Sequence, residues 1–204
     1  MMSDMRYTYV AMALALIHDL PPEELRFHWK SGRLCLDFVA TVGERWRRSF
    51  ERLPGPDDLA RWIVESGVLA SPLEVSGRQL ASGRALREAI NRFARPGIEP
   101  GPGDRDELNR WAARAPLAPR LTEENERLWV ADRPVEAVFA TIARDAVDLL
   151  SGPLAGRIRE CGAPDCALLF VDTSRPGARR WCSTAACGNR VRTKAYRQRQ
   201  KERA

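Results

Sequence analysis

Histidine is almost missing from this chain: His18 and His28 are the two in 204 residues. Neither has an evident nucleophile or metal partner in sequence, so histidine acid–base chemistry has little to draw on. The expectation is a protein that is not an enzyme. Lysine is scarce as well. Lys30, Lys194 and Lys201 are three of the 33 basic residues, and the rest are arginine. No apolar run reaches the roughly 18 residues of a membrane span, so no membrane partner is expected. Val10 to Ile17 is a short apolar run without a basic start, because Asp4 and Arg6 cancel, and without a convincing cleavage site. It reads as an amphipathic helix or as part of a loosely attached N-terminal extension, residues 1–25. No internal repeat or long low-complexity segment occurs.

What the chain does contain is ordinary globular material, 44% hydrophobic and 29% charged, enough for a real core in one or two domains. Its net charge of +6 is unevenly placed. Residues 175–204 hold ten Lys/Arg and one acid, Glu202, whereas the first 174 residues hold 23 basic and 26 acidic side chains. A mildly acidic body with a strongly basic end points to a polyanionic partner. A solvated basic helix is the plainer reading of the same charges.

Cysteine gives the sharpest signal. Cys161, Cys166, Cys182 and Cys187 form the pattern C-x4-C-x15-C-x4-C, two close pairs that can surround one tetrahedral Zn²⁺. Two disulfides or unrelated buried thiols are the competing readings. A fifth cysteine, Cys35, lies in Leu34-Cys35-Leu36 and reads as a small buried hydrophobe. Pairs with one left over favour metal in a reducing compartment. Four thiolates leave no open ligand position, so the zinc is expected to be structural, and gaps of four residues do not suit a redox pair.

Hydrophobic periodicity predicts a mainly α body. Leu34 to Trp46 fits a helix with Leu34, Phe38, Val42 and Trp46 on one face and Asp37, Thr41 and Glu44 on the other. Asp57 or Asp58 can cap a helix through Val68, Ser76 to Arg95 forms a longer one, and Asp104 to Ala115 a short one. A small hairpin is expected at 120–122 and 128–130. A strong helix over Arg133 to Ser151 starts at Pro134 and stops at Gly152-Pro153, where the boundary is placed. Beyond it, short strands at 157–160 and 168–172 bracket the first cysteine pair. Trp181-Cys182 ends a strand-like stretch, and Ser183 caps a basic helix through Arg203. This is a treble-clef-like layout: knuckle, hairpin, then a helix carrying the last ligand. The division is thus 1–25, a helical domain 26–152 and a zinc module 153–204.

The last helix puts Arg190, Lys194 and Arg197 on one face, with Arg192, Arg199 and Arg203 as a second stripe. Most of these arginines suit phosphates, while Asn189 could read adenine or bond the backbone near the knuckle. Arg180 and Arg190 are placed in sequence to offset the charge of a tetrathiolate zinc. Trp181 and Phe170 read as packing around the knuckle, and Trp46, Trp62 and Trp111 as core.

The run Trp181-Cys182-Ser183 through Cys187-Gly188-Asn189-Arg190, with Cys161-x4-Cys166 upstream, resembles the CGNR zinc finger. Gly32 to Thr41 and Ala143 to Leu150 resemble the opening and the final helix of the ABATE domain that usually precedes it. The resemblance implies zinc on the four cysteines, DNA as partner of the finger, and a helical domain that senses a small-molecule effector in a bacterial stress-induced regulator. Ala40 stands where similar domains often have asparagine. The expected function is therefore a zinc-dependent DNA-binding transcription regulator, cytoplasmic and nucleoid-associated, with a homodimer as one route to sequence specificity. An RNA-binding or ribosome-associated finger is the alternative, because a basic helix also suits an RNA groove.

Overall fold

The computed structural model describes residue 21 and residues 23–203. The apolar run Val10 to Ile17 and His18 lie outside the described residues. Six α-helices and three two-stranded antiparallel hairpins are described: α1 Leu34–Val39, β1 Val42–Gly43, β2 Phe50–Glu51, α2 Pro56–Glu65, α3 Gly77–Ala94, α4 Asp104–Ala112, β3 Ala118–Leu121, β4 Arg127–Val130, α5 Pro134–Ser151, β5 Ile158–Glu160, β6 Leu169–Val171 and α6 Asn189–Lys201. The body is mainly α and the C-terminal part is a small knuckle, hairpin and helix, as the periodicity predicts.

Local chemistry explains the helix starts. Pro56 opens α2, and the Asp58 carboxylate accepts the Gly55 N–H at 3.0 Å, so Asp58 acts from inside the first turn. Ser76 caps α3: its hydroxyl accepts from the Gln79 N–H at 3.2 Å, and the Gln79 side chain accepts the Ser76 N–H at 2.8 Å. At α4 the preceding Gly103 has φ +89°, a conformation that favours glycine, and Asp104 binds the Gly101 N–H and Arg92.

Helix α5 is the central element. Val135, Val138, Phe139, Ile142, Ala146 and Leu149 are all buried on it. Around Phe139 stand Trp111, with ring centroids 5.1 Å apart, and Phe38, which in turn packs on Trp62 at 4.8 Å. Gly83 of α3 lets Phe139 in, since a Cβ there would lie 2.8 Å from the ring.

The predicted helix 34–46 is shorter. It ends at Val39, because the carbonyls that would continue it are taken elsewhere. Arg52 donates to the Ala40 carbonyl at 2.9 Å through its side chain and to the Thr41 carbonyl at 2.9 Å through its backbone. The β1–β2 hairpin replaces the last helical turns, so tertiary pairing overrides periodicity. Trp46 is consequently no core residue; it is 62% exposed, and its indole donates to Glu160 at 2.5 Å. Asp37 and Thr41 are both covered: the Asp37 carboxylate accepts the Ser31 N–H at 3.2 Å and Thr41 is buried. Trp181-Cys182 is irregular rather than strand, and the final helix stops at Lys201.

The zinc-bearing segment is not a separate bead. Ile158, Leu169 and Val171 belong to the main core, and the Val171 N–H donates to the Ser31 carbonyl at 2.8 Å.

Candidate metal centre and nucleic-acid interface

The β5–β6 connection carries Cys161 and Cys166. The irregular segment after β6 delivers Cys182, and a wide π-type turn, Thr184–Gly188, delivers Cys187. Ser183 caps that turn by accepting the Ala186 N–H at 3.1 Å. One ligand atom of each cysteine lies within 4.8 Å of all the others. Sulfurs bound at about 2.3 Å around a tetrahedral Zn²⁺ stand roughly 3.8 Å apart. Cys166 and Cys182 are separated by 3.9 Å and Cys182 and Cys187 by 3.5 Å, so little rearrangement is needed. All five cysteines are free thiols, which removes the disulfide reading; Cys35 is fully buried, as predicted.

The donor set fits zinc chemically as well. Hydrogen bonds from the Cys166 and Cys182 thiols pull Cys161 down to about 2, and the same hydrogen bonds, with burial behind them, hold the donors' protons on, pushing Cys166 up to about 12 and Cys182 higher still. Thiols this crowded cannot all ionise beside one another; a divalent cation makes four thiolates favourable at once. Backbone donors help: the Cys182 N–H points to Cys161 Sγ at 3.4 Å. The four cysteines form one structural zinc site, closed to further ligands.

Packing around the sulfurs explains two glycines. The Trp181 ring lies over Gly162 and Gly188, and a Cβ on Gly188 would stand 3.0 Å from Trp181 Cδ1. Phe170 is fully buried in the same cluster, with Arg179 over its ring. Asp172 ties down the turn after β6 by accepting from Ser174 Oγ at 2.6 Å and from the Arg179 N–H at 2.9 Å.

A tetrathiolate zinc carries two negative charges, and the arginines meet it unevenly. Arg190 donates to Cys187 Sγ at 3.4 Å and to Asp165 Oδ1 at 2.9 Å, and its Nε lies 2.8 Å from the other oxygen of that carboxylate. Arg180 is exposed and lies over the Trp181 ring. The body supplies the other cations. Arg52 lines the same cleft as Cys166; burial pulls its guanidinium down to about 10, and the Cys166 sulfur opposes that shift. Arg95, only 2% exposed, donates to the Ala167 carbonyl beside Cys166 at 3.0 Å. Sequence reasoning missed Arg52 and Arg95, because contacts 72 residues apart leave no local pattern.

Helix α6 leaves this centre at Asn189. Its 13 residues span about 20 Å, shorter than the 30 Å expected of a 20-residue helix. Arg190, Lys194 and Arg197 do share one face, along a groove of about 640 Å³ that Lys201, Thr193 and Gln198 also line. Arg192 and Arg199 are exposed outside that groove, and Tyr196 is 57% exposed. Asn189 is exposed and accepts from Arg192, not from the knuckle backbone. No helix among the described residues is long and apolar enough to cross a membrane.

A helical body with a closed four-cysteine zinc finger and a basic terminal helix defines the class. Residues 32–153 match the ABATE family model, described as "Putative stress-induced transcription regulator", and residues 157–200 match the CGNR zinc finger. The chain belongs to the ABATE family and carries a CGNR zinc finger. No curated protein matches it.

Proposed function

We propose that this protein is a DNA-binding transcription regulator whose zinc centre aims α6 at the phosphate backbone. One observation carries the reading. Arg190 spends its guanidinium on Asp165 and Cys187, which anchors the start of α6, while Lys194, Arg197 and Lys201 beyond it line an open groove. A fixed helix whose Lys194, Arg197 and Lys201 form no ion pair among the described residues suits a polyanion. The exposed Arg192 and Arg199 add charge on the flank, and Arg180 stands on the finger beside Trp181. Most of these contacts would position the protein rather than read bases.

The small-molecule role falls to the body. A cleft of about 340 Å³ between the β1–β2 hairpin and the knuckle is lined by His28, Ala40, Phe50, Arg52, Cys166 and Leu168. Arg190 and Asp165 form its rim as well as the end of the α6 groove. An effector seated there would touch the pair that anchors the basic helix.

The test is binding of the zinc-loaded protein to duplex DNA across a salt series, with structured RNA as competitor. Lys194→Ala, Arg197→Ala and Lys201→Ala together should keep the zinc and reduce the log–log salt slope by about 3, close to one per phosphate contact. Stronger binding to RNA would move the finger to the second reading. An unchanged slope would place the nucleic-acid face elsewhere.

A further inference from the structure

One of the four zinc ligands can be reached from outside. Cys161, Cys182 and Cys187 are 4%, 4% and 5% exposed, whereas Cys166 is only partly buried. Its way out is the cleft of about 340 Å³ between the β1–β2 hairpin and the knuckle, which Cys166 lines together with Ala40, Val42, Phe50 and Leu168. A thiolate remains a nucleophile when zinc holds it, and exposure then decides which sulfur meets a reagent first. That sulfur is Cys166.

The lining of the cleft selects the reagent. Its charges balance, four arginines against three glutamates and Asp165, so an anion gains nothing by entering and a small uncharged molecule loses nothing. Most of these charges are spent on one another: Arg47 and Arg48 pair with Glu44, Arg48 also with Glu24, and Arg190 with Asp165. Arg52 is different. It forms no ion pair among the described residues and donates to uncharged acceptors, the Glu24 carbonyl at 2.9 Å, the Ala40 carbonyl at 2.9 Å and His28 Nε2 at 3.3 Å. A guanidinium has donors beyond these three. A buried cation in one cleft with a thiolate favours negative charge developing on a leaving oxygen. A second sulfur stands ready as well. Cys182 Sγ lies 3.9 Å from Cys166 Sγ, so an approach of roughly 2 Å brings the two to disulfide length.

We propose that Cys166 is an oxidation site for small uncharged hydroperoxides, and that its oxidation closes a Cys166–Cys182 disulfide and frees the zinc. The Cys166 thiolate attacks one peroxide oxygen. The S–O bond forms, the O–O bond breaks, and the leaving hydroxide takes a proton from solvent to become water. The Cys182 thiolate then attacks the sulfenic sulfur. The S–S bond forms, the S–O bond breaks, and a second hydroxide leaves and is protonated to water. Two thiolates have given up two electrons and the peroxide has gained them. Cys161 and Cys187 are left as ligands, half of a closed structural set. Cys182 directly precedes Ser183, which caps the turn that delivers Cys187 and leads into α6, so the disulfide slackens the root of the basic helix. The inference rests on the cleft proposed for an effector and gives that effector a chemistry. It does not depend on what α6 binds.

The test titrates the full zinc-loaded chain with hydrogen peroxide. A chromophoric chelator reads released zinc, dimedone traps sulfenic acid, and peptide mass maps the sulfurs. One zinc should appear for each peroxide consumed. The first dimedone adduct should fall on Cys166, the disulfide should join Cys166 to Cys182, and the fully buried Cys35 should stay reduced. A thiol reductant with added zinc should restore the parent. Val42→Phe narrows the cleft without touching a ligand and should slow zinc release at least about fivefold, because access limits the attack. Zinc retained under a large excess of peroxide overturns the proposal. So does a first adduct on another cysteine, a disulfide that omits Cys166, or a zinc-loaded Val42→Phe chain that releases zinc at the parent rate. Should Val42→Phe fail to load zinc, the mapping on the parent chain decides alone. DNA binding before and after oxidation is a separate measurement that bears on the regulator reading.

Discussion

Arg95, at the end of α3, donates to the carbonyl of Ala167, the residue after the zinc ligand Cys166, at 3.0 Å. Its other terminal nitrogen lies 2.7 Å from Glu160 of β5 at an angle unsuited to a hydrogen bond, and the exposed Trp46 ring lies 4.7 Å from the guanidinium carbon. A side chain 2% exposed thus joins body and knuckle. Arg95→Met keeps most of the volume but orphans a buried carbonyl and a half-buried carboxylate. The expected cost is about 2 kcal/mol. Urea denaturation should show it, and a chelator competition should show faster zinc loss. Unchanged zinc retention would mean that the knuckle holds its shape without the body.

Zinc removal should be felt beyond the finger. Ile158, Leu169 and Val171 sit in the main core, so a slack knuckle loosens the strands that cover it. Chelation, or Cys182→Ser, should lower the melting temperature of the helical body while leaving most of its helix in place. A loss of about 3 kcal/mol would move Tm by roughly 6–12 °C at this size. A helical transition at the same temperature with and without zinc would show that the two parts unfold independently.

The sequence was most legible where one local pattern decided the outcome. Spacing alone located the four zinc ligands, and the apolar faces of 76–95 and 133–151 located α3 and α5. The proline at 134 made the start of α5 readable; the reciprocal hydrogen bonds of Ser76 and Gln79 that start α3 emerged from the structure. The β1–β2 hairpin was not legible, because Leu34, Phe38, Val42 and Trp46 keep helical spacing past the point where Arg52 takes the Ala40 and Thr41 carbonyls. The roles of Arg52 and Arg95 are set by distant packing, and no window of sequence contains them. The anchoring of Arg190 by Asp165 likewise joins residues 25 apart.

Gly83→Ala should destabilise the body although alanine is the better helix former. Alanine in a helix interior gains about 1 kcal/mol over glycine. Here its Cβ would lie 2.8 Å from Phe139 Cζ, and Phe139 cannot swing away because it is fully buried between Trp111 and Phe38. Overpacking of this kind costs about 1–3 kcal/mol, so the net effect is a loss of about 1 kcal/mol. A denaturation midpoint above that of the parent chain would show that the ring relaxes freely.

Asp37 makes the pH dependence testable. Burial raises its carboxyl from 3.8 to about 6, against hydrogen bonds from Ser31 that favour the charged form. A group whose folded pKa is raised contributes stability that is complete below its unfolded value and is lost as pH rises through the folded value. Asp37 therefore favours folding below about pH 4 and loses that contribution between about pH 4 and 6. Glu44, Glu88 and Asp104 are shifted the other way, by Arg48, by Arg45 and Arg87, and by Arg92, and work in the opposite sense. The parent curve sums these terms, so the informative quantity is a difference. Asp37→Asn keeps an oxygen to accept the Ser31 N–H and removes the titration. Its stability relative to the parent should climb across pH 4 to 6 and then level off. Urea midpoints of the two proteins at pH 4, 5 and 7 measure this, and a constant difference would show that Asp37 ionises as freely in the fold as in the unfolded chain.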